Sequence, residues 1–507
     1  MSCREQSAQA AALRRPVEHD IGAGAPYAAW MLAGVAAITA LRLAWLALQP
    51  ADLFPDEAQY WVWSQRLAVG YYSKPPLVAW LIAATTGLFG DSEFAVRLSA
   101  PLLHAGAAIF VYGIGARLYD RRVGFWAALT YVSLPGVSVS SFIISTDAPL
   151  LLFWAAALYA FVRAREEGGW GWWLAVGLAA GLGLLAKFAM AYWLLSALGF
   201  VLVFPAERRL LRPLLTATGI ALLLYSPNFW WNWSNDFVSY LHTRDNAALS
   251  GPLFHPDALI EFFAAQFGVF GPLLFAGLIL LTATWRGVAE QRARLLAAFS
   301  LPTLVMMIAV SLLSRAHANW AAPAYVAATV LVVAWALQRG WRRLIALSIA
   351  LHLAAVGLLF TGRDALAAFG LDVPAQYDPL RRVRGWRELG TEVGKELAAH
   401  PGLTLFADDR EVLAALIYYI RSHPLDAVKW KVTSRIQDQW DLTNGLRKRL
   451  GESFLLVSEH ELINEMEPSF AAIERLRPIV IPLGPGAVRT YTLYIARGFK
   501  GYPPGRT

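Results

Sequence analysis

Apolar runs dominate the chain as far as position 360 and are interrupted by short polar turns. Crossing a bilayer as a helix takes about 20 mostly apolar residues. By that measure eleven segments predict membrane helices, near 28–48, 94–116, 123–142, 148–163, 170–186, 188–204, 213–232, 262–284, 295–313, 320–338 and 342–360. The alternate turns at 117–122, 163–167, 207–212, 286–294 and 339–343 are rich in arginine and fall on the same side as the N-terminal tail. Arginine and lysine are retained in cytoplasmic loops, so that side reads as cytoplasmic. The opposite side, the periplasm of a bacterial cell, then carries the loop around Asp56, the turn 140–147, the loop 233–261, the turn 314–319 and everything after about 361.

The pattern changes character in two places. Between the first two spans, Tyr60, Trp63 and Leu67 recur at i, i+3 and i+7, which predicts a helix lying in the membrane interface. Pro75 and Pro76 suit the first turn of a further helix, 77–89, which is too short to span. Asp91 or Ser92 then caps the second span. Beyond 362 the chain turns polar. Helical spacing at 386–397 and 412–420, with strand-like runs at 403–407, 454–457, 479–482 and 491–496, predicts a small α/β domain. The expected division is a cytoplasmic tail at 1–25, a transmembrane domain at 26–362 and a periplasmic domain at 363–507.

Composition agrees with a polytopic α-helical membrane protein. Of 507 residues 57% are hydrophobic and 16% charged, with a mean hydropathy of +0.45, whereas soluble domains carry roughly 25% charged residues. The 21 Trp and 18 Tyr suit many membrane–water boundaries. A net charge of +8 follows from the arginine turns and does not call for nucleic acid. Cys3 is the single cysteine, so no disulfide forms within the chain. The α/β domain carries no Gly-rich phosphate loop, zinc spacing or nucleophile elbow, and the chain shows no repeat at solenoid period.

Candidate chemistry gathers on the outer side. The doublet Asp56-Glu57 opens the first outer loop. Either acid can cap the helix that follows. A pair also suits catalysis, one carboxylate accepting the proton of an incoming hydroxyl while its neighbour orients it. Tyr60 follows closely as a further cavity residue. Lys74 precedes Pro75-Pro76 at head-group level, as a snorkelling side chain or a cation for a lipid phosphate. Asp147 begins the fourth span with Pro149 just inside, which a helix cap explains and which also leaves room for a second acid at the site. Lys187 interrupts two apolar runs, and ionisable residues at such depth are costly and point to function. Arg42 and His104 invite the same reading, Arg42 as the partner of an inward acid. Arg315, His317 and Asn319 make a basic outer turn that a phosphate would justify, and His242, Arg244, Asp245 and Asn246 offer similar groups. His242 and His255 admit a divalent metal, without the spacing of a defined site.

Five short motifs, in order, carry a resemblance: 54–58 (Phe-Pro-Asp-Glu-Ala), 72–76 (Tyr-Ser-Lys-Pro-Pro), 145–149 (Ser-Thr-Asp-Ala-Pro), 185–188 (Leu-Ala-Lys-Phe) and 317–320 (His-Ala-Asn-Trp). Over 28–362 the chain resembles the GT-C glycosyltransferases, specifically family 39 in its bacterial form, a group related to protein O-mannosyltransferases and to the aminoarabinose transferase of lipid A. The resemblance implies a GT-C fold of about 11 to 13 transmembrane helices. It also implies a polyprenyl-phosphate sugar donor, an active site on the outer face of the bacterial inner membrane, and transfer with inversion to an envelope acceptor such as lipid A, another glycolipid or a glycan. By that resemblance Asp56 is the base of the first outer loop, Lys74 meets the donor phosphate and Asp147 is a second acid. By their own chemistry Arg315, Arg244 and Lys187 are the further candidates for binding the donor phosphate. The lipid A transferases carry an acid before the Lys-Pro-Pro, and Ser73 stands there here; this departs from the pattern on which a metal at that position, and an aminoarabinose substrate, rest. A protein acceptor, or a transporter of lipid-linked sugars, would share many of these features.

Overall fold

The computed structural model describes residues 26–49, 51–246, 254–284, 290–314, 316–371, 374, 377, 378, 380–431, 433, 435–459, 463–484 and 487–502. The expected tail at 1–25 and the candidate Arg315 lie outside the described residues.

The described residues begin with a membrane helix, α1 (Tyr27–Leu48), followed by two short helices of the site loop, α2 (Pro55–Ser64) and α3 (Leu77–Phe89). Next come α4 (Glu93–Leu118), α5 (Arg121–Ser133) and the short α6 (Pro135–Ser140), then α7 (Asp147–Glu167), α8 (Trp170–Ala186), α9 (Ala191–Val203) and α10 (Leu211–Ser234). After α11 (Val238–Asn246) follow α12 (Pro256–Val269), α13 (Pro272–Thr284), α14 (Gln291–Leu313), α15 (Ala324–Gln338) and α16 (Arg342–Ala368). Among the described residues, six helices are long and apolar enough to cross a membrane, and seven if a bent pair counts as one. Shorter apolar helices, α3, α8, α15 and the stretch Phe188–Val203, complete the bundle.

Two of the eleven expected spans are broken. The run 123–142 splits at Pro135 into α5 and α6, because proline has no N–H to continue the ladder. The run 262–284 becomes α12 and α13, which meet at 115°. Gly271, at φ +90°, makes that corner, and a side chain there would run into the buried ring of His352.

Packing follows membrane rules. Gly115 of α4 and Gly124 of α5 bring two backbones together, since a Cβ on Gly115 would lie 2.8 Å from the Gly124 Cα; small residues at such crossings let helices touch along their axes. Every residue from Ala324 to Ala336 of α15 is buried, which makes α15 a central post and explains its apolar character all round. The arginine turns converge as a group. Arg117 and Arg163 both pair with Glu167, Arg165 pairs with Glu207, Gln291 donates to Glu207, Arg292 lies over the Tyr119 ring and Arg342 over Trp126.

The C-terminal part consists of α17 (Trp386–Ala399), β1 (Thr404–Ala407), α18 (Arg410–Tyr419), β2 (Val428–Lys429), α19 (Gln439–Thr443), β3 (Phe454–Ser458), β4 (Phe470–Gly484) and β5 (Ala487–Phe499). Its five strands run in the order β2-β1-β3-β5-β4. β1 is parallel to β2 and β3, with Leu405 beside Leu455, while β5 is antiparallel to β3 and β4. The helices and strands expected here are all present, the last two as a long hairpin.

This domain sits on the site loop. The Asp52 carboxylate accepts from the Trp386 and Arg387 N–H groups at 2.8 and 3.3 Å, and Leu53 N–H donates to the Tyr419 hydroxyl at 2.6 Å. Tyr72 N–H donates to Gln439 Oε1 at 2.8 Å, and Trp61 meets the edge of Tyr418. The interfacial helix expected from Tyr60, Trp63 and Leu67 is therefore corrected. α2 is sandwiched between the bundle and α18, with Tyr60, Trp61 and Trp63 all buried, and Leu67 lies beyond its end and is exposed.

Candidate active site

The two acids of the doublet divide their work. Glu57 is fully buried, and its Oε2 caps α2 by accepting from Phe54 N–H at 2.8 Å. Arg97 donates to both of its oxygens, at 2.7 and 3.0 Å for the shortest pair, and Ile144 N–H adds a bond at 2.9 Å. Glu57 thus ties the site loop to α4 and to the turn before α7, and no reactant reaches it in this arrangement. Asp56 has none of these duties. Its side chain is 46% exposed, and among the described residues its one ion-pair partner is Arg410, with Arg410 Nη1 at 2.9 Å from Oδ1. The same Nη1 donates to Gln59.

Asp147 is the first residue of α7, with Thr146 in the capping position, so the expected cap is not what holds it. Its Oδ1 accepts from Lys187 Nζ at 2.6 Å and its Oδ2 from Asn319 Nδ2 at 2.7 Å. Three sequence candidates are thereby brought into one cluster. That cluster stands between two cavities. One, of about 660 Å³, is lined by Asp147, His317, Asn319, Ser140, Tyr325 and apolar residues of α6 and α16. The other, of about 230 Å³, is lined by Lys74, Lys187, Tyr192, Asn246, Trp320 and apolar residues of α14.

Lys74 projects into the smaller cavity, mostly buried, and no acidic side chain pairs with it among the described residues. Burial first, and then the charge of Lys187, push its ammonium below the ordinary lysine value. A group in that condition gains from an anion. His242 lies over Tyr72 at 4.9 Å and contacts Asn246. Burial, followed by the charges of Lys74 and Arg410, holds His242 down to about 4, so it is neutral at physiological pH. The Tyr60 phenol is pushed well up, by burial and then by Asp56.

Other candidates lie apart. Arg244 is exposed and bound to its neighbour Asp245. Arg42 donates to the Val132 carbonyl and the Ser138 hydroxyl, and no acid pairs with it among the described residues, contrary to expectation. His104 is buried against Ser140. His255 N–H donates to the Leu312 carbonyl, and the described residues bring no three His, Cys, Asp or Glu side chains together as a metal site, so no step is assigned to a divalent metal. Arg410 was not foreseen. It lies 354 positions from Asp56 in a domain without a catalytic motif, and only the folded arrangement reveals it.

Three comparisons bear on this geometry. Residues 73–231 match the family described as dolichyl-phosphate-mannose-protein mannosyltransferase. The chain is 35% identical over 390 residues to the lipid A galacturonosyltransferase RgtD of Rhizobium johnstonii, covering 76% of this chain and 82% of that protein. It is 27% identical over 368 residues to an undecaprenyl phosphate-alpha-4-amino-4-deoxy-L-arabinose arabinosyl transferase of Pseudomonas fluorescens, covering 64% and 63%. In fold it is similar to ArnT from Cupriavidus metallidurans bound to undecaprenyl phosphate, with a TM-score of 0.64, 16% identity, and 92% and 98% of the two chains covered.

Proposed function

Because the chain belongs to the GT-C glycosyltransferases of family 39, we propose that it transfers a uronic acid from a polyprenyl phosphate to lipid A or to the adjoining core sugars, at the periplasmic face of a bacterial inner membrane. It is a membrane glycosyltransferase dependent on a polyprenyl-phosphate-linked sugar. The observation that carries the reading is Lys74: a mostly buried ammonium without an acidic partner, in a cavity walled by membrane helices. A lipid phosphate is the anion that reaches such a place from the bilayer. The choice of a uronic acid rests on the similarity to the galacturonosyltransferase.

The chemistry proceeds as a single displacement. The acceptor oxygen attacks the anomeric carbon, the bond from that carbon to the phosphate oxygen breaks, and configuration inverts. Asp56 receives the proton of the acceptor hydroxyl. Lys74 meets the charge that develops on the departing phosphate, an electrostatic contribution made in a dry site. Asp147, clamped by Lys187 and Asn319, forms the wall between the donor cavity and the larger cavity. The C-terminal domain at 363–507 roofs the site on the periplasmic side, and the arginine turns face the cytoplasm.

The test is transfer by the purified protein in detergent, with polyprenyl-phosphate galacturonic acid as donor and lipid A as acceptor. A lipid A product heavier by one uronic acid is expected. Transfer of a neutral hexose but no uronic acid would remove the sugar assignment, and modification of protein but not lipid A would remove the acceptor.

A further inference from the structure

Asp56 is in an unusual position for a base at the start of a helix. Its neighbour Glu57 has taken over the cap, so nothing on α2 itself restrains the Asp56 carboxylate. The restraint comes from elsewhere. Asp409 caps α18 by accepting from the Glu411 and Val412 N–H groups at 2.7 and 3.0 Å, which fixes the first turn from which Arg410 projects. α18 in turn packs along α2, held by Tyr419 on Leu53 and Tyr418 on Trp61. The guanidinium thus arrives on a rigid support.

Its contacts are selective. Nη1 binds Asp56 Oδ1 at 2.9 Å and also Gln59 Oε1, while Nη2 makes only a long contact to Glu411 at 3.4 Å. Asp56 Oδ2 has no hydrogen-bond partner among the described residues. One carboxylate oxygen is therefore pinned and the other remains available. We propose that Arg410 is a positioning residue: through it the C-terminal domain holds Asp56 in the rotamer that turns Oδ2 to the acceptor hydroxyl, and the domain becomes part of the active site. This rests on Asp56 being the group that receives the acceptor's proton. Arg410 itself touches Asp56 and need not touch substrate.

The experiment compares Arg410→Ala and Asp56→Asn in the full-length protein, with kcat and KM for the donor measured separately and guanidinium chloride added at millimolar concentration. Misplacing a reacting group by about 1 Å costs on the order of 10²-fold, so Arg410→Ala is expected to lower kcat by about that factor with donor KM unchanged, and guanidinium is expected to restore much of it. Full activity of Arg410→Ala beside an inactive Asp56→Asn would overturn the proposal alone. So would a loss that guanidinium does not reverse, since that marks a merely structural role. Full activity of Asp56→Asn would overturn both the proposal and the assignment of the base. Should Arg410→Ala fail to fold, Arg410→Gln, which keeps the stem and loses the charge, is expected to lower kcat with donor KM unchanged, and its full activity beside an inactive Asp56→Asn would overturn the proposal.

Discussion

At the arginine-rich end of the bundle, Arg117 and Arg163 share Glu167 and Arg165 meets Glu207, itself further bound by Gln291. At the other end Lys74 has no acid within pairing distance among the described residues, and Asp56 is 46% exposed with one oxygen unclaimed. Both ends are rich in charge, yet one is closed upon itself and the other is left open. Topology alone asks for arginines at a membrane edge, and once paired they need nothing more. Charge left unsettled in a buried place has a cost, and a ligand is the usual reason for bearing it. Within the open end the same contrast repeats between adjacent residues: both oxygens of Glu57 are claimed, and only one of Asp56, by Arg410.

That contrast can be broken by substitution. Asp56→Asn is expected to cut transfer by about 10²–10⁴-fold, the usual contribution of a general base, while leaving the thermal midpoint in detergent unchanged; kcat and a melting curve on the same preparation decide it. Glu57→Gln should do the reverse in its first effect. Removing one member of a buried pair costs about 3–5 kcal/mol, so folded yield and thermal midpoint should fall before any kinetic defect can be read. Equal stability of the two variants would erase the distinction between them. Lys74→Ala should weaken donor binding by about tenfold or more, from the roughly 1.5–3 kcal/mol of a hydrogen bond to a charged group, measured by titrating polyprenyl phosphate. Arg163→Ala at the closed end, where exposed pairs contribute about 0–1 kcal/mol, should leave that titration unmoved.

The smallest effect concerns pH. His242 is held down to about 4 in the folded protein, below its ordinary value of 6.5. Between those values the unfolded chain binds the proton more readily than the folded one. Stability is therefore full above about pH 6.5 and declines as pH falls toward 4. His242→Gln should flatten that part of the curve of melting temperature against pH, and an unchanged slope would place the acid sensitivity elsewhere.

Much of the helical architecture was legible because membrane burial imposes a long and nearly uniform apolar run, as in α1, α7 and α16. The C-terminal strands were legible from their short apolar runs for a similar reason. The corner between α12 and α13 was not, since hydropathy sums over a window and has no term for one glycine at positive φ. At the site, residue types at a given membrane level were readable, so Asp56, Lys74, Asp147 and Lys187 stood out. Their partners were not. Whether an acid caps a helix, pairs with Arg97 or faces Arg410 depends on contacts across 40 to 354 positions, and local spacing is silent about those. The doublet at 56–57 is the clearest case: two neighbouring acids of nearly equal propensity, separated in role by which way the helix turns them.

The bonds from Asp52 and Leu53 to Trp386, Arg387 and Tyr419 also bear on how the molecule comes into being. A ribosome makes the loop at 52–76 more than 300 residues before it makes the groups that hold that loop in shape. During this interval the nascent chain has its spans but lacks the contacts that order its loop. The last quarter of the polypeptide closes the structure, so biosynthesis itself sets the moment at which the loop is complete.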